Sequence, residues 1–330
     1  MKPEKIEKFR YKMAAKLPKP IFDVAVAGRH LYKFLFYNET RKRFGNQNSD
    51  KTFYVIRLCP PATGFLANYN YVLGYMKYAF SKGWIPVVDM ENYATLYQAE
   101  KPYNGTRNVW EYFFEQPYDP KTNKRYSLKE VYNSKNVILA KADDQNMYCV
   151  NTDPETIHWQ HEMSELIPFN QCMQKHVDEV YEKIIPLNVN VMGVPTRGSE
   201  QKKRIIGHPI PLNVDELLPY IQSNLKKWGG QYIFVKAEEM ATIDYLKKNL
   251  PNVLYSDGIR TDHKNGQNII AAFSDEEKKI LSLRDYLTDI YILSRCESIM
   301  GTHNNGIATA IIWNGGKYSH VDVIDNGIWK

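Results

Sequence analysis

Short apolar stretches alternate along the chain with segments whose apolar residues recur at helical spacing. Residues 53–58 and 85–90 predict buried strands, and residues 66–82 predict the helix between them. From residue 189 the same alternation repeats, beginning with an apolar, β-branched stretch over 189–194. This alternation in both halves predicts an α/β protein with two doubly wound domains that face a cleft.

Length and pattern together divide the chain into parts. Its 330 residues favour two domains rather than one. We assign residues 1–50 to a basic N-terminal arm, 51–188 to a first α/β domain and 189–330 to a Rossmann-like second domain. In the second domain, Ser274 and Glu277 have the spacing of a capping box that opens a long helix.

Composition narrows the class of protein. Hydrophobic residues make up 43% of the chain, which excludes global disorder. The net charge of +6 arises from 43 basic and 37 acidic residues, a mixed balance that does not indicate a nucleic-acid partner and suits an anionic ligand. The 24 tyrosines offer aromatic surface for sugar rings or, equally well, material for a core.

The sequence also bears on location. The four cysteines are widely spaced and no apolar run is long enough to span a bilayer, so we expect a cytoplasmic protein with reduced thiols. The arm contains an apolar stretch at 31–37, followed by three basic residues at 41–43. This combination predicts either peripheral contact with the inner face of the plasma membrane or an arm packed on the body.

Three strand-to-helix junctions of the second domain carry polar side chains, at 197–200, 236–239 and 302–306. Because the carboxyl ends of parallel strands meet at one edge of a sheet, these junctions are expected to lie close together. Arg197, just past the opening strand, can hold a phosphate with two parallel hydrogen bonds. A surface salt bridge is the alternative role for this arginine.

Two further features of this half suit a nucleotide diphosphate. Thr302, Asn304 and Asn305 stand at the start of a predicted helix, whose N–H groups and dipole favour an anion, unless Asn304 is only a helix cap. Asp289 lies on a helix beside apolar neighbours, where a carboxylate requires a partner. The edge of a guanine ring, with two hydrogen-bond donors, is one such partner, and an arginine is the other.

Metal-binding and cofactor motifs give no comparable signal. The HWQHE segment at 158–162 does not have the order of a zincin site, and we find no Walker loop, no G-x-S-x-G and no C-x-x-C pair. We therefore expect neither a metal nor a cofactor.

Several segments together resemble a known family. These are GVPTRGSE with the HPI that follows, IFVKAEE, LTDIYILSRCESIMGTHNNGIATA and, in the first half, CPPATGFLANYNYVLGYMKYAF. Their order and spacing are similar to those of the α-1,6-, nodulation and protein O-fucosyltransferases, a GT-B superfamily of GDP-fucose enzymes. The chain resembles a divergent, bacterial-type member, in which 51–188 would be the acceptor side and 189–330 would bind the nucleotide sugar.

The resemblance also implies roles for particular residues. Arg197 would hold the β-phosphate and stabilise the departing diphosphate, and Asp289 would accept hydrogen bonds from guanine. From their places after predicted strands, and not from the resemblance, Asp89 and Glu200 are the candidates for a weak catalytic base, with helix capping as the alternative role. The donor-binding positions implied by the resemblance and by the junctions are Gly64, Phe65, Asn68, Arg197, Glu238, Asp289, Thr302, Asn304 and Asn305.

This chain departs from the family's pattern at the site itself. Pro195 replaces a histidine that touches guanine, Gly198 replaces a second arginine, and Asn304 and Asn305 replace serines. The implied activity is inverting, metal-independent transfer of fucose from GDP-fucose to a glycan or lipid-linked glycan, as in polysaccharide biosynthesis. The alternatives are a transferase for another nucleotide sugar and a catalytically degenerate nucleotide or sugar binder.

Overall fold

The computed structural model describes residue 28 and residues 35–59, 64–93, 95–150, 152–197, 208–260 and 275–329. They belong to two compact units. The first comprises Met1–Cys149 with Glu162–Asn170, and the second Val150–His161 with Gln171–Lys330. Residues 150–161 and 171–188, which the sequence assigned to the first domain, therefore belong to the second unit.

The first unit is an α/β layer built on four strands. Its elements are β1 (Thr40–Lys42), β2 (Phe53–Ile56), α1 (Phe65–Ser81), β3 (Ile85–Val88), a 3₁₀ turn (Val109–Tyr112), β4 (Tyr118–Asp119), β5 (Lys124–Arg125), α2 (Leu128–Val131), β6 (Val137–Leu139) and a second 3₁₀ turn (Gln145–Met147). The main sheet has the order β1-β6-β2-β3, in which β2 pairs parallel with β3 and β6. The predicted β–α–β unit is therefore present.

Aromatic side chains fill much of this unit's interior. The rings of Phe65, Trp110 and Phe114 stack on one another, with centroids 4.9–6.2 Å apart. Tyr54 and Tyr75 are also fully buried. Tyrosine thus contributes to a core, one of the two uses that its abundance suggested.

The described part of the predicted N-terminal arm joins this unit. β1 pairs antiparallel with β6 at the edge of the sheet. Behind it, the buried Arg57 guanidinium donates hydrogen bonds to the carbonyls of Asn38 (2.9 Å) and Ala140 (2.8 Å). Packing on the body therefore holds for this part of the arm, while residues 1–27 and 29–34 lie outside the described residues.

The second unit is a parallel α/β layer. Its elements are α3 (Pro154–Glu165, whose last residues fall in the first unit), α4 (Gln171–Ile184), β7 (Val191–Pro195), α5 (Val214–Trp228), β8 (Tyr232–Lys236), α6 (Met240–Asn249), β9 (Val253–Leu254), α7 (Glu276–Ser294), β10 (Ser298–Thr302), α8 (Asn305–Asn314) and β11 (His320–Ile324). All neighbouring strands run parallel, in the order β11-β10-β7-β8-β9. The Rossmann-like prediction for this half is confirmed.

Chain order and strand order together locate a switch point in this sheet. From β7 the chain winds through β8 to β9 on one side, then crosses to β10 and β11 on the other. The winding therefore reverses between β7 and β10, and ligands of open α/β sheets bind at the carboxyl ends of the strands there. The predicted junctions at 197–200 and 302–306 follow these two strands.

The start of α7 differs from the prediction by one residue. Its N-cap is Asp275, whose side chain accepts the backbone N–H groups of Glu277 and Lys278. The Asp275 carboxylate thus caps the helix, the role that the Ser274–Glu277 spacing had suggested for Ser274. Ser274 lies outside the described residues. None of the helices within the described ranges is long and apolar enough to cross a membrane.

Candidate functional site

The candidate site is the edge of the second unit's sheet where β7, β8 and β10 end. The backbone N–H and the hydroxyl of Thr196 both donate to the carbonyl of Lys236, at 2.8 and 3.0 Å. Gly301 is glycine because a Cβ there would lie 3.0 Å from the Pro195 carbonyl oxygen. The hydrogen bonds join the ends of β7 and β8, and the absence of a side chain at Gly301 lets the end of β10 approach Pro195. Arg197, which is partly buried, follows Thr196 in the chain.

Arg197 acts electrostatically on the groups around it. Burial lowers the pKa of His208, and the positive charge of Arg197 lowers it further. Burial raises the pKa of Tyr286, and the charges of Lys236 and Arg197 oppose that rise. The arginine thus lies within electrostatic range of His208 and of Tyr286 on α7.

Lys236 adds a second cation that the sequence did not identify as a site residue. Only 5% of this residue is exposed. Its ammonium nitrogen lies 3.0 Å from Glu238 Oε1 and 4.7 Å from the centre of the Tyr286 ring. Burial lowers the pKa of Lys236, but the negative charge of Glu238 and its hydrogen bond, together with Tyr286, raise the pKa overall, so the side chain is an ammonium ion.

The β10–α8 junction is capped by its own asparagine. Asn304 Oδ1 accepts the backbone N–H groups of Gly306 (2.8 Å) and Ile307 (3.1 Å), while its Nδ2 donates to the Thr302 carbonyl (2.8 Å). Asn304 is therefore a helix cap, as the alternative interpretation of this junction held. The positive end of the α8 dipole and the partly buried Asn305 also lie at this junction.

Asp289 is a buried carboxylate that can accept a further hydrogen bond. Five per cent of the residue is exposed, and Oδ1 has no hydrogen-bond partner among the residues that the structure describes. Burial raises its pKa from 3.8 to about 6, while a hydrogen bond from Ser256 and the charge of Arg260 hold it down. Arg260 donates to the hydroxyl of Ser256 at 3.3 Å. Ser256 thus lies between the arginine and the carboxylate.

A cavity adjoins this carboxylate. Its volume is about 190 Å³, and its lining includes Ser256, Gly258, Asp285, Thr288 and, from α4, His176. Thr288, the residue before Asp289 on α7, and Ser256 both line this cavity, whereas Asp289 is not among its lining residues.

Tyr286 connects these groups, and the sequence analysis missed it. Its ring covers Lys236, and a Cβ placed on Gly306 would lie 3.1 Å from its hydroxyl. Tyr286 also stands one helical turn before Asp289 on α7. The sequence shows that Tyr286 and Asp289 share a helix face, and from this we inferred only that Asp289 has an apolar neighbour. The residues that Tyr286 contacts are distant in the sequence, so its role could not be predicted.

The predicted site residues of the first half belong to the first unit. Gly64 is the exposed N-cap position of α1, whereas Phe65 and Asn68 are 2% and 1% exposed. The Phe65 ring lies in the aromatic core, so its side chain is not available to line a nucleotide. The donor-binding roles of Gly64 and Asn68 stay predictions.

Of the two candidate catalytic bases, only Asp89 lies within the described residues. Asp89 is fully buried, and its carboxylate accepts hydrogen bonds from Glu91 N, Asn92 N, Asn92 Nδ2 and Tyr132 OH at 2.6–3.0 Å. This is the geometry of a structural turn cap. Glu200 and Gly198 lie outside the described residues.

Within the described ranges, no group of three or more His, Cys, Asp or Glu side chains is arranged to hold a metal ion. In the HWQHE segment, a ring nitrogen of His161 is instead hydrogen-bonded to the Ile312 carbonyl at 2.9 Å. That contact accounts for His161 as a structural residue.

No protein-family model matches the chain, and no curated protein matches it in sequence. Its structure is similar to that of the α-1,6-fucosyltransferase NodZ soaked with GDP-fucose, with a TM-score of 0.50 and 14% identity over 84% of this chain and 100% of that one. It also matches NodZ from Bradyrhizobium (TM-score 0.49, 14% identity, 80% and 93% covered) and POFUT1 in complex with GDP (0.46, 9%, 85% and 100%). The likeness to the GDP-fucose-soaked NodZ confirms the predicted GT-B-type α/β fold.

Proposed function

We propose that this protein is a glycosyltransferase that transfers fucose from GDP-fucose to a glycan acceptor, with inversion and without a metal ion. The observation that carries the proposal is the convergence of Arg197, Lys236 and the start of α8 at the switch point of a parallel sheet. The fold that the chain shares with a fucosyltransferase soaked with GDP-fucose supports it.

The donor's phosphates belong at the strand ends. Arg197 offers a planar pair of donors to the β-phosphate, and Lys236 contributes positive charge beside it. Because Asn304 already caps α8 with two hydrogen bonds, the helix contributes mainly its dipole and the position of Asn305. The edge therefore favours a dianionic diphosphate over a neutral ligand.

The base belongs at Asp289. Guanine presents two adjacent donors, N1–H and the N2 amino group, to a carboxylate, whereas uracil presents a single N–H between two carbonyl oxygens that would repel it. Within the described part of the chain, Asp289 Oδ1 is a buried acceptor without a partner, and the described hydrogen bonds of Arg260 go to Gly258 and Ser256 rather than to Asp289. This favours GDP over UDP, and so GDP-fucose over the alternative of a uridine donor.

In the proposed reaction, the bond between the sugar's anomeric carbon and the β-phosphate oxygen breaks, and its electron pair leaves with GDP. The acceptor hydroxyl oxygen forms its bond to the opposite face of that carbon, and its proton passes to a base or to water. Arg197 stabilises the charge that grows on the diphosphate, a kind of contribution worth about a hundred- to a thousandfold in rate. We assign the base to neither Asp89, which caps a turn, nor Glu200.

Release of GDP from GDP-fucose, with and without glycan acceptors, tests the proposal. The wild type should release GDP in buffer containing EDTA, and Arg197→Ala should be slower by about a hundred- to a thousandfold. Lys227→Ala, which removes an exposed lysine of the same unit, is the matched control. Full activity in Arg197→Ala would refute the role of the arginine, and GDP binding without release would indicate a degenerate binder.

The acceptor and the location form a separate part of the proposal. We take the acceptor to be a glycan or lipid-linked glycan at the inner face of the plasma membrane. Leu35 and Phe36 are 61% and 62% exposed, and exposed basic residues follow at 41–43, a combination that suits an anionic bilayer surface. Sedimentation with anionic vesicles should be strong for the wild type and weak for a Leu35→Ala, Phe36→Ala variant. Equal sedimentation of both would exclude this contact.

A further inference from the structure

Lys236 occupies an unusual position for a lysine. It is the last residue of a central strand, in register with Pro195 of β7, and its carbonyl accepts both hydrogen bonds from Thr196. Its side chain is buried at the edge where Arg197 follows β7. Burying an ammonium ion is unfavourable unless other groups stabilise it, so its retention here requires an explanation.

Lys236 pairs with one carboxylate among the described residues. Glu238 supplies one carboxylate at 3.0 Å, and Tyr286 supplies the face of a ring. The charge of Arg197 acts in the opposite direction, since it disfavours the protonated form of Lys236. Arg197 and Lys236 thus bring two positive charges to this sheet edge, where Glu238 is the carboxylate that contacts the lysine. An anion between the two cations would relieve their repulsion.

We infer that Lys236 is the second donor-binding cation of this site, acting with Arg197 on the diphosphate, and that Glu238 is the counterion with which the phosphate competes for the lysine. The inference rests on the proposed function. Glycine stands at 198, where the resemblance leads one to expect a second arginine. Lys236 supplies a positive charge at the same sheet edge from the neighbouring strand.

If Lys236 binds the phosphates, its substitution should have an effect that the loss of a purely structural residue would not have. The contribution of Lys236 should grow with the ligand's negative charge, whereas a loss of packing would weaken all guanine ligands alike. Lys236→Met keeps the length and the apolar stem of the side chain and removes only the charge. Glu238→Gln keeps the ammonium and removes the carboxylate that competes with a phosphate for it.

The experiment is to measure the affinities of GDP and guanosine, the latter by competition, for the wild type, both variants and the control Lys227→Met. Lys236→Met should bind GDP about ten- to a hundredfold more weakly and guanosine within about twofold of the wild type. Glu238→Gln should bind GDP more tightly than the wild type, and Lys227→Met should be unchanged.

Three results would overturn the inference while leaving the proposed function intact, provided that the wild type binds GDP. They are unchanged GDP affinity in Lys236→Met, equal losses for GDP and guanosine, and weaker GDP binding by Glu238→Gln. If the wild type binds neither GDP nor GDP-fucose, the proposed function fails, and the inference fails with it. Because Glu238→Gln retains Lys236, it keeps the inference testable even if Lys236→Met does not fold.

Discussion

The side-chain oxygen of Asn304 lies 2.8 Å from the backbone nitrogen of Gly306 and accepts its N–H. This bond caps α8 at the point where β10 ends, beside Arg197 and Lys236. The same asparagine therefore stabilises the helix and borders the place where we put the donor's phosphates.

Replacing Asn304 by Asp should separate these two roles. Aspartate keeps the capping oxygen but cannot donate to the Thr302 carbonyl as Nδ2 does, so the stability should fall by about 1–3 kcal/mol while the helix stays capped. Its negative charge, however, should weaken GDP binding by about tenfold or more. Asn304→Ser, which keeps an uncharged cap, is the control and should bind GDP normally. Melting temperature and calorimetry measure the two effects, and equal GDP affinity in both variants would remove the phosphate from this junction.

Lys236 and Tyr286 should be energetically coupled. A cation over a partly buried aromatic ring contributes on the order of 1 kcal/mol. In a double-mutant cycle of Lys236→Met and Tyr286→Leu, urea unfolding should give a coupling of about that size, whereas Tyr286→Phe should lose little because it keeps the ring. Additive effects of the two substitutions would show that the 4.7 Å contact contributes no stability.

Asp289 should make the protein less stable as pH rises. Burial raises its folded-state pKa from 3.8 to about 6, so the carboxyl group favours folding below the unfolded value and opposes it above the folded one. The free energy of unfolding should fall by about 3 kcal/mol between pH 3 and pH 7 on this account, of which about 2 kcal/mol fall between pH 4 and pH 6. Asp289→Asn should remove that fall and be the more stable protein at pH 7, while losing GDP binding.

Urea unfolding across this pH range measures the effect, with Asp244→Asn as a control at an exposed position of α6. The same pH dependence in wild type and Asp289→Asn would mean that this carboxyl group is not responsible. A fully active Asp289→Asn variant would remove it from base recognition.

Two glycines of the first unit should respond differently to alanine. A Cβ on Gly74 of α1 would overlap the backbone carbonyl of Met147, and the backbone cannot yield as a flexible side chain would. Gly74→Ala should therefore destabilise the protein by about 3 kcal/mol. Gly64, at φ −57°, has no atom within 4 Å of such a Cβ, so Gly64→Ala should fold normally. Thermal unfolding compares the two, and equal stability would contradict the packing of α1 on the 145–147 turn.

The sequence predicted the fold well because buried parallel strands form continuous apolar runs, and 53–58, 85–90 and 189–194 all have that character. It could not give the strand order. Nothing local in the sequence places β10 beside β7 rather than beside β9, yet that crossing creates the switch point. Arg197 and Asn304 were proposed as site residues because they follow predicted strands, and the structure places both directly after strand ends.

The parts that sequence reasoning missed depend on contacts between distant residues. Lys236 ends an apolar run, and only its approach to Tyr286, fifty residues later, shows it as a buried cation. Phe65 stands at the first position of α1, and the direction of its ring was set by Trp110 and Phe114 rather than by its own helix. Asp89 followed a strand as a base might, but its hydrogen bonds to its own turn were not visible in the sequence.

The most direct test of the central claim is calorimetric titration of the full chain with GDP, UDP and GDP-fucose in buffer containing EDTA. A guanine-specific, metal-independent donor site predicts that GDP and GDP-fucose bind and that UDP does not. If UDP bound in place of GDP, the assignment of Asp289 and of the fucose donor would be contradicted. If none of the three bound, the proposal of a nucleotide-sugar transferase would itself be contradicted.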